Sequence, residues 1–129
     1  VPIEIEVNRA KKRVVLHALG DASDSDAREA VTRLRELAKQ HEDFDFLGDG
    51  SNVDGWPLTP GAIRALAAQG PVFGPQCRRA YVLPSLVGYG LARMYAAFTE
   101  SNPDRVRLFR ARADAVEWLD SGDGAGPGT

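Results

Sequence analysis

The stretch Arg78-Arg79-Ala80-Tyr81-Val82-Leu83-Pro84-Ser85-Leu86-Val87-Gly88-Tyr89-Gly90-Leu91-Ala92-Arg93-Met94-Tyr95-Ala96-Ala97-Phe98 decides the fold. Ala80 to Leu83 is almost wholly apolar, the pattern of a strand covered on both faces. Pro84 ends it, and Ser85 offers a short hydroxyl to cap the free N–H groups of a following helix. Val87, Leu91, Met94, Tyr95 and Phe98 then recur at i, i+4, i+7, i+8 and i+11, which predicts one helical face. Asn102-Pro103-Asp104 is a turn. Arg105 to Arg110 reads as a strand, with Val106 and Leu108 on one side and Arg105, Arg107 and Phe109 on the other. Ala113, Val116 and Leu119 mark a last short helix, so Arg78 to Asp120 is a strand–helix–strand–helix unit.

Upstream, Ile3, Ile5 and Val7 alternate with Glu4 and Glu6, as in a half-buried strand. Arg13 to Leu19 predicts a second strand, antiparallel to the first and closed by Gly20. Ser23-Asp24-Ser25-Asp26 is a helix-start cluster, followed by Ala27, Val31, Leu34 and Leu37 at helical spacing up to Gln40. Phe44 to Leu47 is a short third strand, and Gly48 to Pro57 reads as a loop. Thr59-Pro60 starts another helix, with Ile63, Leu66 and Ala67 on its inner face and Gly70-Pro71 as its stop.

The resulting order, β-β-α-β-α-β-α-β-α, defines an α/β fold: a five-stranded mixed sheet, largely parallel, with about four helices. Glu4, Glu6, Arg105 and Arg107 cannot all face a helix-covered core, because unpaired charges are costly to bury. Helices are therefore expected mainly on one face, with part of the other open or paired with a partner. Residues 1–120 are expected to form one domain, and 121–129 a Gly/Pro-rich tail with nothing to bury.

A length of 129 residues suits one core, and 43% hydrophobic with 26% charged residues is ordinary for a globular chain. The formal net charge of -2 gives no general attraction to nucleic acid. Acids dominate from Asp21 to Asp54 and arginines from Arg78 to Arg112, most simply two solvated stretches that neutralise each other. Cys77 is the only cysteine, so no internal disulfide exists, which suits a reducing, cytoplasmic setting. No apolar run approaches the length of a membrane span, and no signal-like segment is present. The start at Val1 is compatible with a leader trimmed ahead of it.

Gly88-Tyr89-Gly90-Leu91-Ala92-Arg93-Met94-Tyr95, Val106-Arg107-Leu108-Phe109-Arg110 and Ala115-Val116-Glu117-Trp118-Leu119 together resemble the C-terminal half of the SpoIIAA-like, STAS-type group of small bacterial proteins. Ile3-Glu4-Ile5-Glu6-Val7 and Leu58-Thr59-Pro60-Gly61-Ala62-Ile63-Arg64-Ala65-Leu66 resemble the same group. The resemblance implies a core of successive β-α turns. Within the wider family, antagonists of anti-sigma factors carry Asp-Ser-Ser-Gly at the start of the second helix, where a kinase phosphorylates a serine and breaks a partner complex. This chain departs from that pattern and reads Trp56-Pro57-Leu58-Thr59-Pro60-Gly61. Thr59 lies closest to the phosphoacceptor position, with Ser51 as a second candidate, although a helix cap accounts for Thr59 by itself. Some relatives of this architecture are associated with apolar ligands.

Other motifs fall short of chemistry. Gly48-Asp49-Gly50-Ser51-Asn52-Val53-Asp54-Gly55 lacks the ligand spacing and final glutamate of a calcium loop and the Gly-Lys-Ser/Thr ending of a phosphate loop. Trp56 at its end is suited to anchor a partner or to cover the core edge. Gly88 and Gly90 half-match a dinucleotide fingerprint, but Arg93 replaces the third glycine, so close packing of the helix on the sheet explains them better. Ser85 and Arg93 would suit an unspecific anion at the helix start. Cys77 beside Arg78 and Arg79 would favour a thiolate. A Cys–His pair would need the fold to bring His17 or His41 to it, and no metal-spaced cluster exists.

The sequence therefore predicts no catalytic residue, metal or cofactor. The leading expectation is a non-enzymatic regulatory or protein-interaction module. It would contact a protein partner, or itself as a homodimer, through the open sheet face (Arg105, Arg107) or the segment ending in Trp56. The alternative is a carrier of a small apolar or anionic ligand, with Tyr89, Met94, Tyr95, Phe98 and Trp118 as candidate lining. An enzyme using Cys77 or the loop acids is the third reading.

Overall fold

A computed structural model describes residues 3–21, 23–56, 59–70, 72–74, 76–99 and 104–121. Its elements follow the order expected: β1 (Ile3–Asn8), β2 (Arg13–Asp21), α1 (Asp24–Gln40), β3 (Asp45–Gly55), α2 (Pro60–Ala68), β4 (Arg79–Val82), α3 (Leu86–Phe98), β5 (Val106–Phe109) and α4 (Arg112–Asp120). The five strands lie side by side in chain order. β1 and β2 are antiparallel, and every later neighbour is parallel. This is the mixed sheet read from the sequence. The turn residues Asn102-Pro103, Pro71 and the tail from 122 to 129 lie outside the described residues.

The pleat sends alternate residues to opposite faces. On one face Val15, Leu47, Ala80 and Val82 pack with Ala115 and Leu119 of α4. On the other, Val14 and Phe46 pack with Leu34 of α1 and with Phe73 and Cys77. Helices α1, α2 and α3 stand over this second face, and α4 stands alone over the first. Phe46, Leu47, Val14 and Val82 are the largest fully buried side chains, and each contributes about 1.5–3 kcal/mol by leaving water. Phe46 also meets Phe73 and Tyr81 with ring centroids 4.7 and 5.7 Å apart.

The helix starts follow local chemistry. Ser23 and Asp26 form a reciprocal capping box at α1. The Thr59 hydroxyl accepts from Ala62 N at 3.1 Å, with Pro60 in the first helical position. The Ser85 hydroxyl accepts from Gly88 N at 3.0 Å.

Three expectations are corrected. Gly48 to Gly55 is strand, not loop: β3 runs on to Gly55 because β2 continues past Gly20 to Asp21 and pairs with it through two register shifts. A glycine-rich run in a surface loop and one beneath packed rings have the same composition. Here a Cβ on Gly48 would come within 3.0 Å of the Phe46 ring and 3.1 Å of Tyr81, which is why glycine stands there. The inner face of α3 is also turned by one residue: Val87 is 63% exposed, and Gly88, Leu91, Ala92 and Tyr95 face inward. The cause is Trp56, whose indole fills the space that a side chain at 88 would need, at 2.8 Å from an added Cβ. Gly90, by contrast, has nothing within 4 Å of such a Cβ, so the close-packing role belongs to Gly88 alone.

Gly88→Ala is accordingly expected to destabilise the protein by about 1–3 kcal/mol through overpacking against Trp56. Gly90→Ala should stabilise it by about 0.5–1 kcal/mol through helix propensity. Urea unfolding midpoints of the two variants, moving in opposite directions, check both.

Candidate functional site

Between the sheet and helices α1, α2 and α3 lies a cavity of about 230 Å³. Its floor is the sheet: Ile3, Leu16, Ala18, Phe46 and the bare backbone of Gly48 and Gly50. Its walls are Ala27, Ala30 and Val31 from α1, Ile63 and Leu66 from α2, and Leu91, Ala92 and Tyr95 from α3. Trp56 closes one side. Gly48 and Gly50 let Phe46, Tyr81 and Trp56 close against the floor, the small residues on α1 and α3 leave the space, and the apolar periodicity of the three helices makes it largely apolar.

One charged side chain breaks this pattern. Arg79 opens β4 next to Phe46 of β3 and Val106 of β5, and it shares the cavity face with Tyr81. It is 5% exposed, and its buried Nε has no hydrogen-bond partner. Among the described residues it forms no ion pair. A guanidinium keeps its charge at physiological pH, so burial of the unpaired Nε carries a desolvation cost. Two carboxylates border the same cavity, but both are engaged elsewhere. Asp26 is bound to the Ser23 amide and hydroxyl, and Asp49 accepts from the Ser51 amide and the Arg112 guanidinium.

Tyr81 and Tyr95 border the cavity beside Arg79. Burial pushes the Tyr81 phenol well up; the Tyr95 phenol adds to this and the Arg79 guanidinium opposes it. Burial likewise raises the Tyr95 phenol against Arg35 and Arg79. Arg79 and both phenols thus form one electrostatic group inside a largely apolar chamber.

The opposite face of the sheet treats charge differently. Arg13, 4% exposed, donates to Asp45 at 2.8 Å and to Asp120 at 2.9 Å, tying β2 to β3 and to the end of α4. Asp49 pairs with Arg112 of α4, and its carboxyl is within 3.6 Å of His17. Burial would raise the Asp49 carboxyl, but hydrogen bonds from Ser51 and Arg112 outweigh it and hold it below the ordinary carboxylate value.

The residues singled out from sequence are scattered. Thr59 and Ser85 are helix caps, and Ser51 is exposed on β3. Arg93 is exposed on α3, eight residues beyond Ser85, or about 12 Å along the helix. The two therefore do not form one anion site. Arg105 reaches Gln76 at 3.4 Å, while Arg107 lies over the Trp118 ring at 5.5 Å. Glu4, Glu6 and Arg107 share the face that only α4 covers, and all three are exposed. Of the five aromatic and sulfur side chains expected to line a cavity, Tyr95 alone does so. Trp118 packs on the α4 face and Phe98 lies under Arg64 near the surface, because the inner face of α3 is rotated. Cys77 does not become a thiolate: burial pushes its thiol up to about 12, outweighing Arg79. Its Sγ donates to Phe44 O at 3.2 Å, and His17 lies on the opposite face of the sheet.

Arg79 was the residue sequence reasoning missed. The strand was expected to begin at Ala80, which left Arg79 outside it. Starting the alternation one residue earlier places 79, 81 and 83 on one face, and that was the available signal.

This geometry defines a SpoIIAA-like α/β fold with a partly open chamber between the sheet and helices α1 to α3. A solved structure with this fold is similar to it over nearly the whole chain: an uncharacterised protein of the DUF3478 family from Shewanella loihica PV-4. It is 20% identical, with a TM-score of 0.57, and the match covers 91% of each chain. No family model matches the sequence, and no curated protein matches it. The likeness therefore bears on the fold. Among the described residues no helix is long and apolar enough to cross a membrane.

Two outcomes follow. Arg79→Met should stabilise the unliganded protein by about 1–3 kcal/mol in urea unfolding, since it exchanges an unpaired buried charge for an apolar chain of similar length. Asp49→Asn should cost about 1–3 kcal/mol at neutral pH. Because the Asp49 carboxyl is depressed on folding, its contribution is present above the ordinary value of 3.8 and is lost as pH falls through the lower folded value. Thermal melts should therefore fall more steeply below about pH 4 for the native protein than for Asp49→Asn.

Proposed function

We propose that this chain is a non-enzymatic binding module whose site is the chamber between the sheet and helices α1 to α3, and that it carries or senses a small, largely apolar molecule. The observation that supports this most is the cavity of about 230 Å³ floored by Gly48 and Gly50. Native interiors are packed with few voids larger than a water molecule. An apolar cavity of about 150 Å³ is already enough to take up benzene. Space half as large again fits an apolar body of roughly ten non-hydrogen atoms. The capped or engaged states of Thr59, Ser85 and Cys77 offer no nucleophile or base pointed at this space.

The second reading, contact with a protein partner or a second copy, has its own support. Leu86 and Val87 are 77% and 63% exposed at the start of α3, and the sheet face bearing Glu4, Glu6 and Arg107 is covered by α4 alone. A ligand-dependent contact of this kind would make the module regulatory, in a cytoplasmic setting that suits the reduced Cys77. The acidic net charge argues against nucleic acid as the partner.

Isothermal titration with 1-octanol, a neutral apolar probe, should show micromolar-to-millimolar binding at one site. Ala92→Phe, which fills the chamber from α3, should abolish it while keeping or raising the melting temperature. Absence of octanol binding by the native protein, or undiminished binding by a folded Ala92→Phe, would overturn the chamber as the site.

A further inference from the structure

The chamber wall is mostly apolar, and of the charged side chains that border it, Arg79, Asp26 and Asp49, only Arg79 is without a partner among the described residues. Arg79 presents a permanent cation whose Nε is buried without a hydrogen-bond partner. Tyr81 and Tyr95 border the same space, and neither phenol has a hydrogen-bond partner among the described residues. Buried polar groups in folded proteins are nearly always satisfied, so an unpaired cation on a residue that lines a cavity calls for a partner from outside the chain. Five donors in a fixed fork suit a planar oxyanion held by two parallel hydrogen bonds. The carboxylates nearest the chamber do not supply that partner, because Asp26 is held by Ser23 and Asp49 by Arg112. The rest of the wall, from Leu16 and Phe46 to Ile63 and Leu91, suits hydrocarbon.

We infer that the ligand is a small amphiphilic monoanion, a carboxylic acid with an apolar body of roughly ten non-hydrogen atoms, whose carboxylate is bound by Arg79 with Tyr81 and Tyr95 beside it. This rests on the chamber being the binding site and adds the chemical class. A neutral molecule of the same shape would leave the guanidinium unpaired and bind more weakly. A cationic one would place two like charges together in a low dielectric and be excluded. The arrangement thus selects by charge at one end and by size and hydrophobicity at the other, which are the two properties that define a medium-chain fatty or aryl-alkanoic acid.

Octanoate, 1-octanol and octylammonium share a chain and differ in headgroup, so titrating the native protein with all three isolates the charge. Octanoate should bind at least ~10-fold more tightly than octanol, and octylammonium should not bind. In Arg79→Met the octanoate-to-octanol ratio should fall to about one or below, with octanol binding retained, and in Arg79→Lys a preference for octanoate should persist. Should Arg79→Met not fold, Arg79→Gln serves as the neutral variant, and the ratio in the native protein decides alone if both fail. Equal affinity for octanoate and octanol in the native protein would overturn the anion assignment while leaving the chamber as a binding site. A preference that survives in a folded neutral variant would overturn the role of Arg79. Binding of none of the three would overturn this inference together with the chamber reading.

Discussion

The indole of Trp56 is wedged between two glycines, and the space inside the molecule depends on it. On the sheet side, a Cβ on Gly50 would stand 3.2 Å from the ring; on the helix side, one on Gly88 would stand 2.8 Å from it. Each glycine yields the room a side chain would take, so the ring acts as a rigid spacer between the end of β3 and the first turn of α3. A smaller side chain at 56 would let α3 settle onto the sheet, and a larger one at 88 would push it away. With α3 held off by one ring thickness, residues further along it, Leu91, Ala92 and Tyr95, become walls of a chamber rather than parts of a closed core. The exposure of Leu86 and Val87 follows from the same constraint, because a helix whose first turn faces a ring with Gly88 must turn residues 86 and 87 away.

The two faces of the sheet handle charge in opposite ways. On the α4 face every strongly buried ion has a partner: Arg13 has Asp45 and Asp120, and Asp49 has Arg112. Two further arginines there lie over Trp118, the half-buried Arg78 at 4.1 Å and the exposed Arg107 at 5.5 Å from the ring. On the chamber face the strand residues in register are apolar or aromatic, from Ile3 and Leu16 to Phe46, Tyr81 and Leu108, and Arg79 is the charged one. The same chain thus pairs its buried charges where they serve structure and leaves one unpaired where there is room for a ligand. Pairing on one face shows that the sequence can satisfy a buried arginine, which makes the exception at 79 informative.

Element order, strand direction and helix caps were legible from local chemistry, since Ser23, Thr59 and Ser85 cap the helices that their positions announce. The uneven covering of the sheet was also legible, because Glu4, Glu6 and Arg107 alternate against apolar neighbours. The chamber was not. Its floor is made by Gly48 and Gly50, and glycine in sequence signals a turn as readily as a crowded strand. Its far wall depends on the rotation of α3, which Trp56 sets from more than thirty residues away and no periodicity of α3 records. Arg79 was hidden because the apolar run marks the strand as starting at Ala80, which leaves a charged residue at 79 outside it.

The energetic standing of the empty site gives a reason to read it as functional. Space left between the sheet and the helices forgoes the contacts that packed side chains would make there. A guanidinium whose Nε is buried without a partner adds a desolvation cost. Native domains are stable by only about 5–15 kcal/mol in all. A chain that keeps both features at once therefore gives up stability at one spot, while capping its helices and pairing its buried ions elsewhere. Either cost could be removed by one substitution: a bulkier residue at 92 for the space, an apolar one at 79 for the charge. A bound molecule that fills the chamber and neutralises Arg79 removes both together, because the free energy of filling the space and of pairing the charge then appears as affinity. Local strain of this kind collects at binding sites because the remainder of the fold is stable enough to hold it in place.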